Sequence, residues 1–426
     1  MTEERELKLA QFVGGWDGFD VVGVHREGTP EPDALGLPAT RLVLRLEAIP
    51  GFPKRCSGCG AIVTEVHDVS ERRVRDLPIL EWDTWLVFAR ARLQCPRCGP
   101  TVEAVPWLDR YQRMTTRLAE KIAGLAQVLP IKHVAQWFGV SWDTVKQIDQ
   151  RSLARRLGPP DLSGVRCLAI DEFAIQRGHR YATVIVEPGM KRVLWVARGR
   201  DRAALAGFFT ALGPAGCARI EAVVMDMWRP YLTEVRVHCP QAAIVYDLFH
   251  VVAKYGREVI DRVRVDETNR LARAQGPTDL ATRARRRVIK GTRWLLLRNR
   301  ETIATAADRV RLAELLAANR ALFRVYVLKD DLKQLWQFHD PHAARRFWQQ
   351  WHRRALASRL TPLIAFARML AVHLEGILSH CRYPLHTSLL EGINNKIKVL
   401  KRMAYGFRDD AYFFLKIRAA FPGIPR

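Results

Sequence analysis

The alternation of apolar and polar positions divides the chain into blocks. Arg41-Leu42-Val43-Leu44-Arg45-Leu46 alternates strictly and predicts a strand, as does Thr84-Trp85-Leu86-Val87-Phe88-Ala89-Arg90. From about 112 to 155 the period becomes helical. Strand patterns return between 165 and 250, in VRCLAIDEFAI, RYATVIVEP, RVLWVARG, RIEAVVMDM and AAIVYDLF, with the amphipathic helix DRAALAGFFTAL between the third and the fourth. Residues 255–380 read as helical and basic, and a last helix begins near Ser388. Short connections between the first three strands of the middle block favour antiparallel pairing. The helix before the fourth strand allows it to run parallel to the first.

Two close cysteine pairs stand out against this background. Cys56-Ser-Gly-Cys59-Gly and Cys95-Pro-Arg-Cys98-Gly are both CxxCG turns, separated by 35 residues that hold strand patterns. Two residues between thiolates, followed by glycine, let one tight turn offer both sulfurs to a single ion, so four such ligands predict one structural Zn²⁺. His67, within the gap, reads as an ordinary surface histidine. The remaining cysteines are scattered, and paired thiols without a secretory leader point to metal binding in the cytoplasm rather than to disulfides.

Residues 131–150, IKHVAQWFGVSWDTVKQIDQ, fit a helix-turn-helix. Ala135 is small where the helices meet and Gly139 suits the turn. Val134, Phe138, Val140, Val145 and Ile148 fall on the inward faces, and Ser141 is placed to cap the second helix. Trp142, Asp143, Lys146 and Gln147 then face outward, where a recognition helix meets base edges and phosphates. Composition agrees with this reading. The chain carries 68 Lys+Arg against 44 Asp+Glu, a net charge of +24, although its first fifty residues hold five basic and nine acidic side chains. A polyanion is the expected partner, nucleic acid first. No apolar run suggests a membrane span.

Three apolar strands run into a carboxylate, at Asp171, Asp226 and Asp247. A single aspartate there reads as a cap; three in one sheet suggest chemistry. If the first and fourth strands are adjacent and parallel, Asp171 and Asp226 sit side by side, which is the ribonuclease H-like arrangement. Two carboxylates and a third from a later helix would hold two Mg²⁺ (or Mn²⁺) ions about 4 Å apart for phosphodiester chemistry. Glu391 is the candidate for the third, on a helix face shared with Asn394, Asn395, Lys398 and Arg402, opposite Leu389, Ile393, Ile397 and Leu400. Ser388-x-x-Glu391 also matches a capping box, so sequence leaves Glu391 between two roles. Residues 281–300 contain eight basic side chains and no acid; Arg283, Arg285, Arg286 and Arg287 are expected to meet phosphates. Trp336, Trp348 and Trp351 read as core more than as base-stacking residues.

At these residues the chain resembles a DDE transposase of a bacterial insertion sequence, closest in pattern to the ISL-three lineage. The resemblance rests on the cysteine turns, the helix-turn-helix, Asp171-Glu172, Arg177-Gly178-His179-Arg180-Tyr181 and Met225-Asp226-Met227. It continues through Asp247-Leu248-Phe249-His250 and the tract Ser388–Lys398, in that order. It implies that Asp171, Asp226 and Glu391 form a catalytic triad, with Asp247 and His250 nearby. It also implies a multidomain α+β protein: an N-terminal extension (1–50), a zinc ribbon (51–108) and a helix-turn-helix domain (112–158), then a ribonuclease H-like α/β core (162–254, final helix 381–426) interrupted by an all-helical insertion (255–380). The expected partners are double-stranded DNA, as terminal inverted repeats and target, and further copies of the chain. A non-catalytic DNA-binding regulator, or a nuclease that cuts without joining, are the alternatives.

Overall fold

The computed structural model describes residues 14–28, 40–80, 82–176, 178, 180–275, 280–298, 300–385 and 388–424. The chain divides into two compact units, Met1–Gly158 with Lys401–Arg408, and Pro159–Leu400 with Asp409–Arg426.

In the first unit a sheet is built from β1 (Phe19–Gly28), β2 (Thr40–Ala48), β3 (Arg55–Cys56), β4 (Val66–Arg75), β5 (Asp83–Cys95) and β6 (Gly99–Ala104), with the order β1-β2-β5-β6-β3 and β4 paired to β5. Where it is described, the expected N-terminal extension (1–50) therefore does not stand apart: β2 runs parallel to β5 from Arg41–Asp83 to Leu46–Phe88. The reason lies in β2's own pattern, since Leu42, Leu44 and Leu46 are buried with Leu86, Phe88, Trp16 and Trp107 in one apolar cluster. Asp76 lies wholly buried beside that cluster. It accepts bonds from Trp16 Nε1 (2.7 Å), Thr115 Oγ1 (2.6 Å), the Leu77 amide (2.8 Å) and Arg117 Nε (2.8 Å), and a further one from Arg117's terminal nitrogen. Burial pushes its carboxyl up, but these donors outweigh it and hold the group below the usual aspartate range.

Among the described residues this unit also holds the helices Thr116–Ala126, Ile131–Phe138 and Trp142–Leu157. Gly139 joins the last two at φ 56°, ψ 41°, a left-handed conformation that glycine adopts without strain. Ser141 Oγ caps the second helix by accepting the Thr144 amide at 3.1 Å.

The second unit opens with a five-stranded sheet: β7 (Cys167–Gln176), β8 (Arg180–Glu187), β9 (Arg192–Arg198), β10 (Ala222–Met225) and β11 (Ala243–Tyr246), in the order β11-β10-β7-β8-β9. β7, β8 and β9 are antiparallel; β10 is parallel to both β7 and β11. The helices Arg202–Arg219 and Arg229–His238 supply Leu205, Phe208, Tyr231 and Val235 to the core over Leu168, Ile170 and Val223. This is the ribonuclease H-like topology. After β11 the chain becomes helical up to Cys381 among the described residues, around a separate core of Val259, Leu332, Trp348, Trp351 and Phe366. Trp348 and Trp351 are thus core side chains, and Trp336, partly buried, packs against the same core. The helix Asp410–Ala420 packs on β9. No single helix among the described residues is long and apolar enough to cross a membrane.

Candidate metal centre and carboxylate site

The cysteine turns meet because β6 pairs with both of their strands. Cys95 on β5 stands opposite Gly99, and Cys56 on β3 opposite Glu103. The glycine that follows each pair adopts positive φ, 74° at Gly60 and 68° at Gly99, which folds each turn back over its sulfurs. All four thiol sulfurs lie within 4.8 Å of one another, with Cys59 and Cys95 at 3.6 Å. Amide hydrogens of Cys59 and Gly58 pull the Cys56 thiol down to about 6, while hydrogen bonding to Cys59, burial and the neighbouring sulfurs push Cys98 up to about 12. Four thiolates so close require a cation, and the donor set and spacing fit one tetrahedral zinc with no open position. His67 is exposed and pairs with Asp68, outside the cluster.

In the second unit the strand register builds the site. β10 pairs with β7 from Ala222–Cys167 to Val224–Ala169, so two residues further Asp226 comes level with Asp171. β10 pairs with β11 up to Met225–Tyr246, and the next step sets Asp247 level with Asp226. Asp171 does not close its strand, as the apolar pattern suggested. β7 continues to Gln176 against β8, and Asp171 stands where the neighbouring β10 ends. The β7–β10 pairing ends at Ala169, and Asp171, two residues on, lines the cavity.

His250 sits among the three aspartates. Its Nδ1 lies 3.3 Å from Asp226, and its Nε2 lies 3.7 Å from Asp171 and 3.6 Å from Asp247. Burial alone would lower its pKa, but the bond to Asp226 and the charges of Asp171, Asp226 and Asp247 raise it to about 9. Asp247 has two roles at once: its Oδ1 caps the helix Leu248–Tyr255 through the Phe249 amide at 2.7 Å, and its Oδ2 faces His250. Burial raises the Asp171 carboxyl, and burial with the charges of Asp171 and Asp226 raises Glu172. Asp226, also pushed up by burial, is brought below its ordinary range by His250 and the Met227 amide.

A cavity of about 270 Å³ opens over this group, lined by Asp171, Glu172, Asp247, His250, Glu391 and Lys398 among others. Glu391 is exposed and reaches the cavity from the helix Ser388–Met403. The Ser388 side chain, the other half of the capping box, lies outside the described residues, as do Arg177 and His179. Asn394, one turn on from Glu391, donates its Nδ2 to Asp171 Oδ2 at 2.7 Å. It therefore turns inward to a carboxylate. Sequence reasoning missed this bond and the part of Glu172; the signal for Asn394 was its three-residue spacing from Glu391. The Oε2 of Glu172 and the Oδ1 of Asn394 are buried without a hydrogen-bond partner. These oxygen donors suit a hard divalent cation. The carboxylates are more loosely gathered than the sulfurs, because an imidazole lies between Asp171 and Asp226.

The other positions singled out in the sequence are dispersed. Ser141, Trp142, Asp143 and Gln147 are exposed on the second helix of the helix-turn-helix, with Lys146 half-buried. Arg283, Arg285 and Arg287 are exposed on the helix Leu280–Gly291, with Arg286 half-buried. Lys398 and Arg402 are exposed on the helix that carries Glu391.

A cysteine-bound metal module, a helix-turn-helix and a ribonuclease H-like sheet with aligned carboxylates define a DNA-binding transposase class. Family models agree in the same order. One described as the zinc-finger of transposase IS204/IS1001/IS1096/IS1165 matches residues 53–98, the helix-turn-helix domain of transposase family ISL3 matches 103–153, and the ISL3 DDE transposase model matches 168–417. The chain belongs to the ISL3 family of insertion-sequence transposases. It is 48% identical over 427 residues to the transposase for insertion sequence element IS1001 of Bordetella parapertussis, covering 99% of this chain and all of that one. It is also 30% identical to the transposase for IS1557 of Mycobacterium tuberculosis, over 87% of this chain and 86% of the relative.

Proposed function

We propose that this transposase binds the terminal inverted repeats of its own insertion sequence, hydrolyses a phosphodiester at each end to free a 3′-OH, and directs that 3′-OH onto target DNA. The observation that carries the reading is the level placement of Asp171 and Asp226 on adjacent parallel strands, with Glu391 lining the cavity that Asp171 also lines. Asp171, Asp226 and Glu391 would hold two Mg²⁺ (or Mn²⁺) ions. Bound there, the ions supply Lewis acidity to the attacking and leaving oxygens of an in-line displacement. Asn394 fixes one oxygen of Asp171 and so orients the other. His250, poised between aspartates, keeps their charges together before DNA and cations arrive. Lys398, at the cavity, and Arg402, further along its helix, would meet phosphates.

Recognition is assigned elsewhere in the chain. Ser141, Trp142, Lys146 and Gln147 would read the repeat in a major groove, and Arg285, Arg286 and Arg287 would clamp backbone without regard to sequence. Joining two ends requires a dimer or larger assembly on DNA, in the cytoplasm at the nucleoid. The modules would act as a zinc ribbon (51–108), a helix-turn-helix domain (112–158), a catalytic core (162–254 with 381–426) and a helical insertion (255–380). Asp171→Asn and Asp226→Asn test the chemistry: both should bind end DNA as the parent does, while Mg²⁺-dependent cleavage falls by orders of magnitude. Normal cleavage by either variant would refute it.

A further inference from the structure

The ends of β10 and β11 carry the same short pattern, an aspartate followed two residues later by an aromatic: Asp226-Met227-Trp228 and Asp247-Leu248-Phe249. Both aromatics are exposed, Trp228 by 37% and Phe249 by 57%. Single exposed apolar side chains are common. These two differ in where they stand and in how firmly they are held. They leave adjacent parallel strands at matching positions, just past two of the aspartates. Trp228 donates its indole N–H to the Arg200 carbonyl at 2.8 Å, and the Arg200 guanidinium lies over the Trp228 ring at 5.0 Å and over Tyr181 at 4.4 Å. Phe249 lines the carboxylate cavity and stands edge-on to His250 at 5.8 Å, and its amide is held by Asp247. Trp348 and Trp351 of the helical insertion are core and Trp336 packs against that core, whereas Trp228 and Phe249 expose aromatic faces close in the chain to Asp226 and Asp247.

We infer that Trp228, backed by Arg200 and Tyr181, and Phe249 form stacking platforms for unpaired nucleobases next to the phosphodiester that is cut. Every base has a π-face, so such platforms grip a strand without reading its sequence, and a cation beside the ring adds attraction to the anionic strand. They also suit the task, since a phosphate inside a stacked duplex reaches a recessed carboxylate group more easily once its neighbouring bases leave the stack. The inference rests on the proposed cleavage at this site.

The test uses the full-length protein and a duplex carrying the element's end, taken from the genomic flank of its gene. A series of otherwise identical duplexes carries an abasic site at each nucleotide around the cut. On intact DNA, Trp228→Ala and Phe249→Ala should each slow cleavage roughly five- to a hundred-fold, the usual loss for a stacked base, and Trp228→Phe should recover most of it. With the stacked base removed, the parent should slow to the level of the alanine variant, and the variant should lose nothing more. An equal loss on intact and on every abasic duplex, or no loss at all, would overturn the inference. Asp226→Asn separates the two claims. If it abolishes cleavage while the aromatic variants cut normally, the platforms are wrong and the site stands; if it cuts normally, the proposed site itself is wrong.

Discussion

The two candidate metal sites of this chain are assembled in opposite ways. The four cysteines come from two tight turns that one strand, β6, draws together, and their sulfurs already converge within 4.8 Å. The carboxylates come from the middle of β7, the end of β10 and a helix near the far end of the chain, and an imidazole lies between two of them. A site whose purpose is to hold a fold is closed by local geometry. If the carboxylates act on a passing DNA strand as proposed, they can stay apart in an open cavity until cations and substrate arrive. The contrast also explains the charges: crowded sulfurs need a permanent cation, whereas the aspartates already have His250.

The largest effect expected from breaking that contrast is on the cysteine side. Stripping the metal with a chelator, or Cys56→Ser, should unfold the cysteine module, since structural zinc in such ribbons contributes on the order of 10 kcal/mol. Metal analysis should find about one zinc per chain by the four-ligand argument, and circular dichroism should follow the loss; a zinc-free protein of unchanged stability would contradict it. Chelation at a level that removes Mg²⁺ alone should leave the fold intact, which sharpens the difference between the sites.

The next effect belongs to the hub that sequence did not reveal. Asp76→Ala strands the Arg117 guanidinium and the Thr115 and Trp16 donors around an emptied buried site, and should cost about 3–5 kcal/mol in denaturant unfolding. Because the folded-state pKa of Asp76 is lowered, its contribution is fully present above the unfolded value of about 3.9 and is lost as pH falls through the lower folded value. The acid limb of the stability curve should therefore flatten in the variant.

Smaller and more selective is the division between reading and clamping. Lys146→Ala or Gln147→Ala should weaken binding to the inverted repeat about tenfold, as a lost base contact does, with little change on random DNA. Replacing Arg285, Arg286 and Arg287 together should weaken both alike and flatten the salt dependence. Equal specificity ratios for the two sets would show the roles to be misassigned. The smallest effect is Gly139→Ala. Nothing lies within 4 Å of the added methyl, so only the positive φ opposes it, at a cost of about 1–2 kcal/mol by thermal unfolding.

What could be read from the sequence follows the same local-versus-distant line. The CxxCG turns and the helix-turn-helix are short-range patterns, and their glycines, cap and buried faces lie as spacing predicted. The order of the middle strands was legible because connection length decides parallel from antiparallel pairing. Three features were not legible. β2 joins β5 across more than forty residues, a parallel pairing that no local pattern announces. Asp76 looks like any turn aspartate until five donors from four residues close on it. Asn394's amide meets Asp171 only because a helix from the far end of the chain reaches the β7 site. Apolar runs also misplace strand ends: β7 runs past Asp171 because β8 keeps pairing after β10 has stopped.

The proposed chemistry turns on Glu391, the proposed ligand contributed from farthest away. A helix cap accepts glutamine as readily as glutamate, since either side chain can take a bond from a backbone amide. A ligand for a divalent cation needs the charge. The decisive measurement is Mg²⁺-dependent cleavage of end DNA by Glu391→Gln, made beside its DNA binding and thermal stability. The account predicts a protein that folds and binds like the parent and cuts slower by orders of magnitude, matching Asp171→Asn and Asp226→Asn. A Glu391→Gln protein that cuts at the parent rate would reduce Glu391 to a helix cap and leave the site without its third carboxylate.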